Sequence, residues 1–142
     1  MTQPYLASGL IAISLMMGAA RAEPPLAVIA NRNVPVSSLM AEEVTQIFLK
    51  RSLTWPDGQP IRPVDIKEGE PLKAEFYARV TGRGLAQLRS YWARQAFTGV
   101  ARPPREVASA DDVLELVEKT NGAVGYTRRF DDSVKVLLSV GK

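Results

Sequence analysis

The run Leu26 to Asn31, LAVIAN, is apolar until its last residue and is closed by the polar NRNVP. Its length and its stop predict a strand. Ser37 or Ser38 can cap a helix that runs through Lys50, with Glu42 and Glu43 in its first turns. Leu39, Val44, Ile47 and Phe48 give that helix one apolar face. TWPDGQP centres a turn on Pro56-Asp57-Gly58, with Trp55 as its packing anchor. IRPVDI, Ile61 to Ile66, returns to strand, and Pro63 inside it predicts an edge position or a bulge.

Pro71 suits the first turn of the next helix, whose inner positions Leu72, Phe76 and Val80 lie four apart. Gly82 and Gly84 break it. A third helix carries Leu85, Leu88, Trp92 and Ala96 and stops at Gly99, and ARPPREVAS after it reads as an extended linker. Ser109 with Asp112 forms a capping box for a helix from Asp111 to Lys119, with Val113, Leu114 and Val117 inward. Asn121-Gly122 ends it. AVGY is a short strand. VKVLLSV is a final strand, with Val134, Val136, Leu138 and Val140 on one side. The order β-α-β-α-α-α-β-β predicts an α/β fold, a mixed sheet flanked by helices.

The 142 residues suffice for one domain. The chain has no Cys and no His, which removes thiol nucleophiles, disulfides, most zinc sites and the commonest general base. The first 22 residues read as a signal peptide, with an uncharged apolar run and Ala20 and Ala22 at the small-x-small positions. No Lys or Arg precedes that run, so an uncleaved membrane anchor is the alternative, although the run is short of the ~20 residues a span needs. The domain is then expected from Glu23 to Lys142, exported to the periplasm, with a core that works without disulfides.

The net charge of +3 falls by one when Arg21 leaves with the leader, too little to argue for nucleic acid. The distribution says more: six arginines and no acid lie between Arg79 and Arg105. Such a run reads as a solvated helix face or as a basic surface, with Arg89 and Arg94 at its centre. Asp111-Asp112 is explained by a helix start, and Asp131-Asp132 by a turn. No nucleophile with a base beside it and no metal-ligand spacing is visible, so neither an enzyme nor a cofactor is expected.

Five stretches in order, VIANRNVPVSSLMAEEVTQIF, TWPDGQPIRPVD, AEFYARVTG, LRSYWARQAFTG and NGAVGY, resemble the phosphate-binding proteins of ABC importers. The resemblance implies a type 2 periplasmic-binding-protein-like fold, of which Glu23 to Lys142 corresponds to a single lobe. It also implies a small anion, phosphate first, as ligand, and transport without catalysis. Periplasmic or membrane proteins are the other partners it leaves open.

The family's anion sits where a strand turns into a helix start bearing Ser-Gly-Thr after an Arg. Aligned through Phe76, those positions hold Glu70, Pro71 and Leu72, and the Arg position falls on Asp65 or Ile66. Glu70 brings negative charge, Pro71 has no N–H and Leu72 no hydroxyl. Two like charges at ~4 Å repel by roughly 4 kcal/mol at an effective dielectric of about 20. That is about half the worth of a micromolar affinity. The motif is therefore degenerate. Glu70 itself is expected to satisfy the helix amides. The candidate ligand set of this turn is Lys67, Gly69, Glu70 and Lys73, with the two lysines offsetting the acid. The alternative function is a periplasmic interaction or sensor module that has lost its solute.

Overall fold

Residues 24–141 are described by the computed structural model; the leader reading of residues 1–22 and the domain start at Glu23 lie outside them. Leu26–Asn31 is strand β1, and all six of its residues are buried. It lies between β4 (Ala123–Thr127) and β5 (Val134–Val140), antiparallel to both. On the far side of β4 come β2 (Arg62–Ile66) and then β3 (Arg105–Val107), so the sheet order is β3-β2-β4-β1-β5. β2 runs parallel to β3 and to β4. The expected α/β class with a mixed sheet is what the chain forms.

Helix α4 (Ala110–Lys119) packs on one face through Val113 and Val117. They close on Gly125 of β4, where an added Cβ would lie 2.5 Å from Val113 Cγ1. Ser109 caps this helix, as its spacing predicts: the Asp112 N–H donates to Ser109 Oγ at 3.3 Å. Buried Asn31 closes the other end, its Nδ2 donating to the carbonyls of Val117 and Glu118 at 3.0 Å each. Those are orphan acceptors of a last helical turn.

The opposite face carries α1 (Ala41–Phe48) and α2 (Pro71–Phe76). Phe76 stacks on Tyr126 of β4 with ring centroids 3.9 Å apart, and Phe48 meets Phe76 edge-on at 4.8 Å. After Phe76 the helix widens into a π turn, Tyr77–Thr81, that ends at left-handed Gly82. Tyr77 therefore joins Phe76 and Val80 in the core, although the fourfold spacing of Leu72, Phe76 and Val80 left it out.

Several local expectations are corrected. The supposed linker Ala101–Ser109 contains β3, which pairs with β2 from Val64 to Ile66. β2 is an interior strand of the sheet, but β3 pairs with it only from Val64, so Pro63, paired with Val124 of β4 alone, has the expected edge position on the β3 side, where its missing N–H is tolerated. α1 starts later than Ser37 or Ser38: Met40 is its N-cap, and its N–H donates to Glu43 Oε1 at 3.0 Å. On β5 the register to β1 slips at Leu137, so Val134 and Leu137 point inward while Val136 is exposed. Trp55 anchors its loop as expected, buried and donating from Nε1 to the Gly122 carbonyl at 3.0 Å.

Helix α3 (Leu85–Thr98) touches the body through buried Leu88 and Tyr91, with Trp92 only half-buried rather than in the core. The Tyr91 hydroxyl donates to the Leu49 carbonyl at 2.7 Å. Beyond that anchor Phe97 is 93% exposed. Among the described residues no helix is long and apolar enough to cross a membrane.

Candidate functional site

The turn after β2 is formed by Lys67, Glu68 and Gly69, with Gly69 at φ 105°, a conformation that suits glycine. The Lys67 N–H donates to the Val107 carbonyl at 2.9 Å, which ties the turn to β3. The Lys67 side chain is exposed. Glu70 is the N-cap of α2, but its carboxylate makes no capping hydrogen bond, so the expectation that it satisfies the helix amides is corrected. Arg89 reaches across from α3 to pair with Glu68. Arg94 is exposed on the outer side of α3.

Lys73 turns inward. Its ammonium is buried, 2.8 Å from Glu106 Oε2 and 3.7 Å from Asp65 Oδ2. Asp65, on β2, is buried too. It accepts hydrogen bonds from the hydroxyls of Tyr77 and Tyr126 and from the Ile66 N–H. Burial raises the Asp65 carboxyl above the ordinary range and outweighs the opposing pull of Lys73 and the two hydroxyls. Burial and the Asp65 charge together push both phenols far up, so they stay protonated donors. The cluster fixes the β2–α2 junction from below. From the sequence alone Lys73 reads as a surface ligand, because lysine is ordinarily exposed.

Above that junction lies a pocket of about 490 Å³. One wall is Pro71, Leu72 and Glu75 of α2. A second is Ser109, Ala110 and Asp111 at the start of α4. The third is Thr127, Arg128 and Arg129 at the end of β4. The pocket thus gathers the segments that leave the C-terminal ends of the three parallel strands β2, β3 and β4. Open α/β sheets place their ligands at such a crevice. Lys67, Gly69, Glu70 and Lys73 are not among the lining residues.

The pocket's charges are ordered. Arg128 and Arg79 both hold Glu75. Arg128 also donates to the Pro24 carbonyl at 2.6 Å. Burial pushes the Glu75 carboxyl up, but the hydrogen bonds from Arg128 and Arg79 more than offset that and hold it below the ordinary range. Two guanidiniums on one carboxylate leave that trio with one net positive charge. Arg129 is exposed, and its backbone N–H donates to Thr127 Oγ1 at 3.1 Å, which shapes the turn. Asp111, at the α4 start, is the second carboxylate in the lining. The first-turn amides of α4 lack intrahelical acceptors, and one of them is taken by Ser109. The arginine pair went unnoticed in the sequence, where its signal is two consecutive cations directly after a strand that ends at the sheet's carboxyl edge.

A mixed sheet with helices on both faces and a crevice at the ends of its parallel strands is a fold that can be compared with one lobe of the periplasmic solute-binding proteins. Solved structures agree. A Clostridium perfringens structure assigned as a phosphate ABC transporter substrate-binding protein, with bound phosphate, superposes at a TM-score of 0.66 and 20% identity. It is matched over 80% of this chain and 44% of its own. An ABC-type phosphate transport receptor from Vibrio cholerae gives 0.62 at 21% identity, over 80% and 45%. PstS from Borrelia burgdorferi gives 0.59 at 12%, over 80% and 46%. The chain therefore spans less than half the length of these structures. No protein-family model matches the chain, and no curated protein matches it in sequence.

Proposed function

We propose that this chain is an exported, non-catalytic binding domain whose pocket at Thr127–Arg129 takes a small oxyanion, phosphate first. The observation that carries the reading is the convergence of Arg128, Arg129 and the α4 start on the carboxyl edge of three parallel strands. Guanidiniums supply forked donors and charge, and a helix start adds amides and the favourable end of its dipole. The fold-level likeness to phosphate receptors supports the same anion class. The pocket hydroxyls are engaged: Ser109 donates to Asp112 at 3.0 Å, and Thr127 donates to the Arg129 carbonyl at 3.2 Å.

In this reading Lys67, Gly69 and Glu70 form the turn that sets the Pro71 wall, and Lys73 holds that turn from inside. The leader of residues 1–22 delivers the domain to the periplasm.

The test is calorimetric titration of phosphate into the purified chain, followed by amide NMR. A single lobe offers half of a closing cleft, so a dissociation constant on the order of 1 mM or tighter is expected, worth about 4 kcal/mol or more. Arg129→Ala should weaken it, and the shifts should centre on Thr127, Arg128 and Ala110. Absence of heat and of shifts at millimolar phosphate would leave the chain as an interaction module without a solute.

A further inference from the structure

A second cavity, of about 340 Å³, lies near the opposite end of β2. We propose that it binds an amphipathic organic anion, a carboxylate or phosphate monoester carrying an apolar body of several carbons. Its floor is aliphatic, from Ile61, Val64 and Leu116, and its cations are Lys50, Arg62 and Arg105. No acid is among the lining residues. None of the three cations makes an ion pair with a described residue.

The cavity exists because β3 is too short. β3 pairs with β2 only from Val64 onward, which leaves the edge of Arg62 and Pro63 uncovered on that side. Leu116 in the last turn of α4 and Thr120 at its C-cap complete the lining of the gap. The three cations come from the end of α1 and the starts of β2 and β3, so three separate segments deliver one sign of charge to one hollow. Lys50, just past the end of α1, has an ordinary role in opposing the helix dipole. Arg62 and Arg105 stand on strands, where that account does not reach.

Like charges gathered without counter-ions raise the local concentration of anions. An apolar floor of this size adds area burial for a hydrocarbon body. A hydrated inorganic ion would gain nothing from the floor. A neutral alkyl chain would gain nothing from the guanidiniums.

The probe is octyl phosphate, titrated into the full chain below its micelle concentration, with inorganic phosphate and 1-octanol in parallel. Octyl phosphate should shift the amides of Arg62, Val64, Leu116 and Thr120, whereas the other two should leave them in place. Arg62→Gln with Arg105→Gln should weaken octyl phosphate at least tenfold, and Arg129→Ala should not change it. Should the double variant fold poorly, Leu116→Glu, which puts a carboxylate in the apolar lining and leaves both arginines, should also abolish these shifts. Equal binding of octanol, an unchanged affinity in the double variant, or shifts confined to Thr127–Arg129 would overturn the proposal. The last result would assign the ligand to the other pocket.

Discussion

The Tyr77 hydroxyl donates to Asp65 Oδ2 at 2.5 Å inside the protein, with both residues nearly inaccessible. The bond joins the π turn to the carboxyl end of β2. A buried carboxylate that loses a donor keeps its desolvation cost, so Tyr77→Phe should destabilise the fold by about 2 kcal/mol at neutral pH. The penalty should depend on pH in a defined direction. Burial already raises the Asp65 carboxyl, so the folded state binds a proton more readily than the unfolded one. Stability from this group is therefore fully present at low pH and falls as pH rises through the raised value. Removing a donor raises that value further. Urea denaturation should show a larger Tyr77→Phe penalty near about pH 7 than near about pH 4. A pH-independent penalty would mean that Asp65 carries no charge in the fold.

Gly125 holds α4 against the sheet. A Cβ there would lie 2.5 Å from Val113 Cγ1 and 3.3 Å from Val117 Cγ2. Both neighbours are β-branched and stiff, so the helix must move. Gly125→Ala should cost about 1–3 kcal/mol, the range for overpacking. Thermal unfolding checks it, and an unchanged midpoint would mean that α4 rides more loosely than its buried valines indicate.

Helix α3 should divide into an anchored and a free half. Tyr91→Phe removes the bond to the Leu49 carbonyl and should cost about 1 kcal/mol. Phe97 is exposed, and Phe97→Ser should fall within about 0.5 kcal/mol of the parent. Denaturant curves of the two variants at low concentration check the contrast. A large Phe97→Ser effect would show that something in solution covers this residue.

The elements legible in the sequence are those whose signal is local. Ser109 and Asp112 three residues apart announce α4, and the apolar run of β1 announces itself. What was illegible depends on partners distant in the chain. β3 is Arg-Glu-Val after two prolines, with no alternation to detect, and it becomes a strand because β2 offers it Val64 to Ile66. Lys73 looks like a surface cation until Asp65 and Glu106 are placed beside it. The likeness to phosphate receptors pointed at the β2–α2 turn, but Lys67, Gly69, Glu70 and Lys73 do not line the pocket, whose wall on that side is Pro71, Leu72 and Glu75 of α2. The pocket's own cations, Arg128 and Arg129, come directly after β4, and only the sheet order brings the end of β4 beside α2.

Glu75 is the pocket carboxylate that engages Arg128 and Arg79 together, while Asp111 lines the opposite wall. Glu75→Gln removes one negative charge from the neighbourhood of a bound anion. For an assumed separation of about 8 Å and an effective dielectric of about 40 that is roughly 1 kcal/mol, about a fivefold gain in phosphate affinity. The same change should weaken the fold at neutral pH, since the arginine bonds hold this carboxyl below its ordinary value. That contribution is present above the unfolded-state pKa and is lost as pH falls through the depressed folded value. The parent should therefore converge on the variant in acid. Calorimetry with phosphate and denaturation across the acid range separate the two effects. Tighter phosphate with an unchanged acid profile would place Glu75 on the ligand and not on the arginines. Weaker phosphate would mean that Glu75 positions Arg128 for the anion more than it repels it.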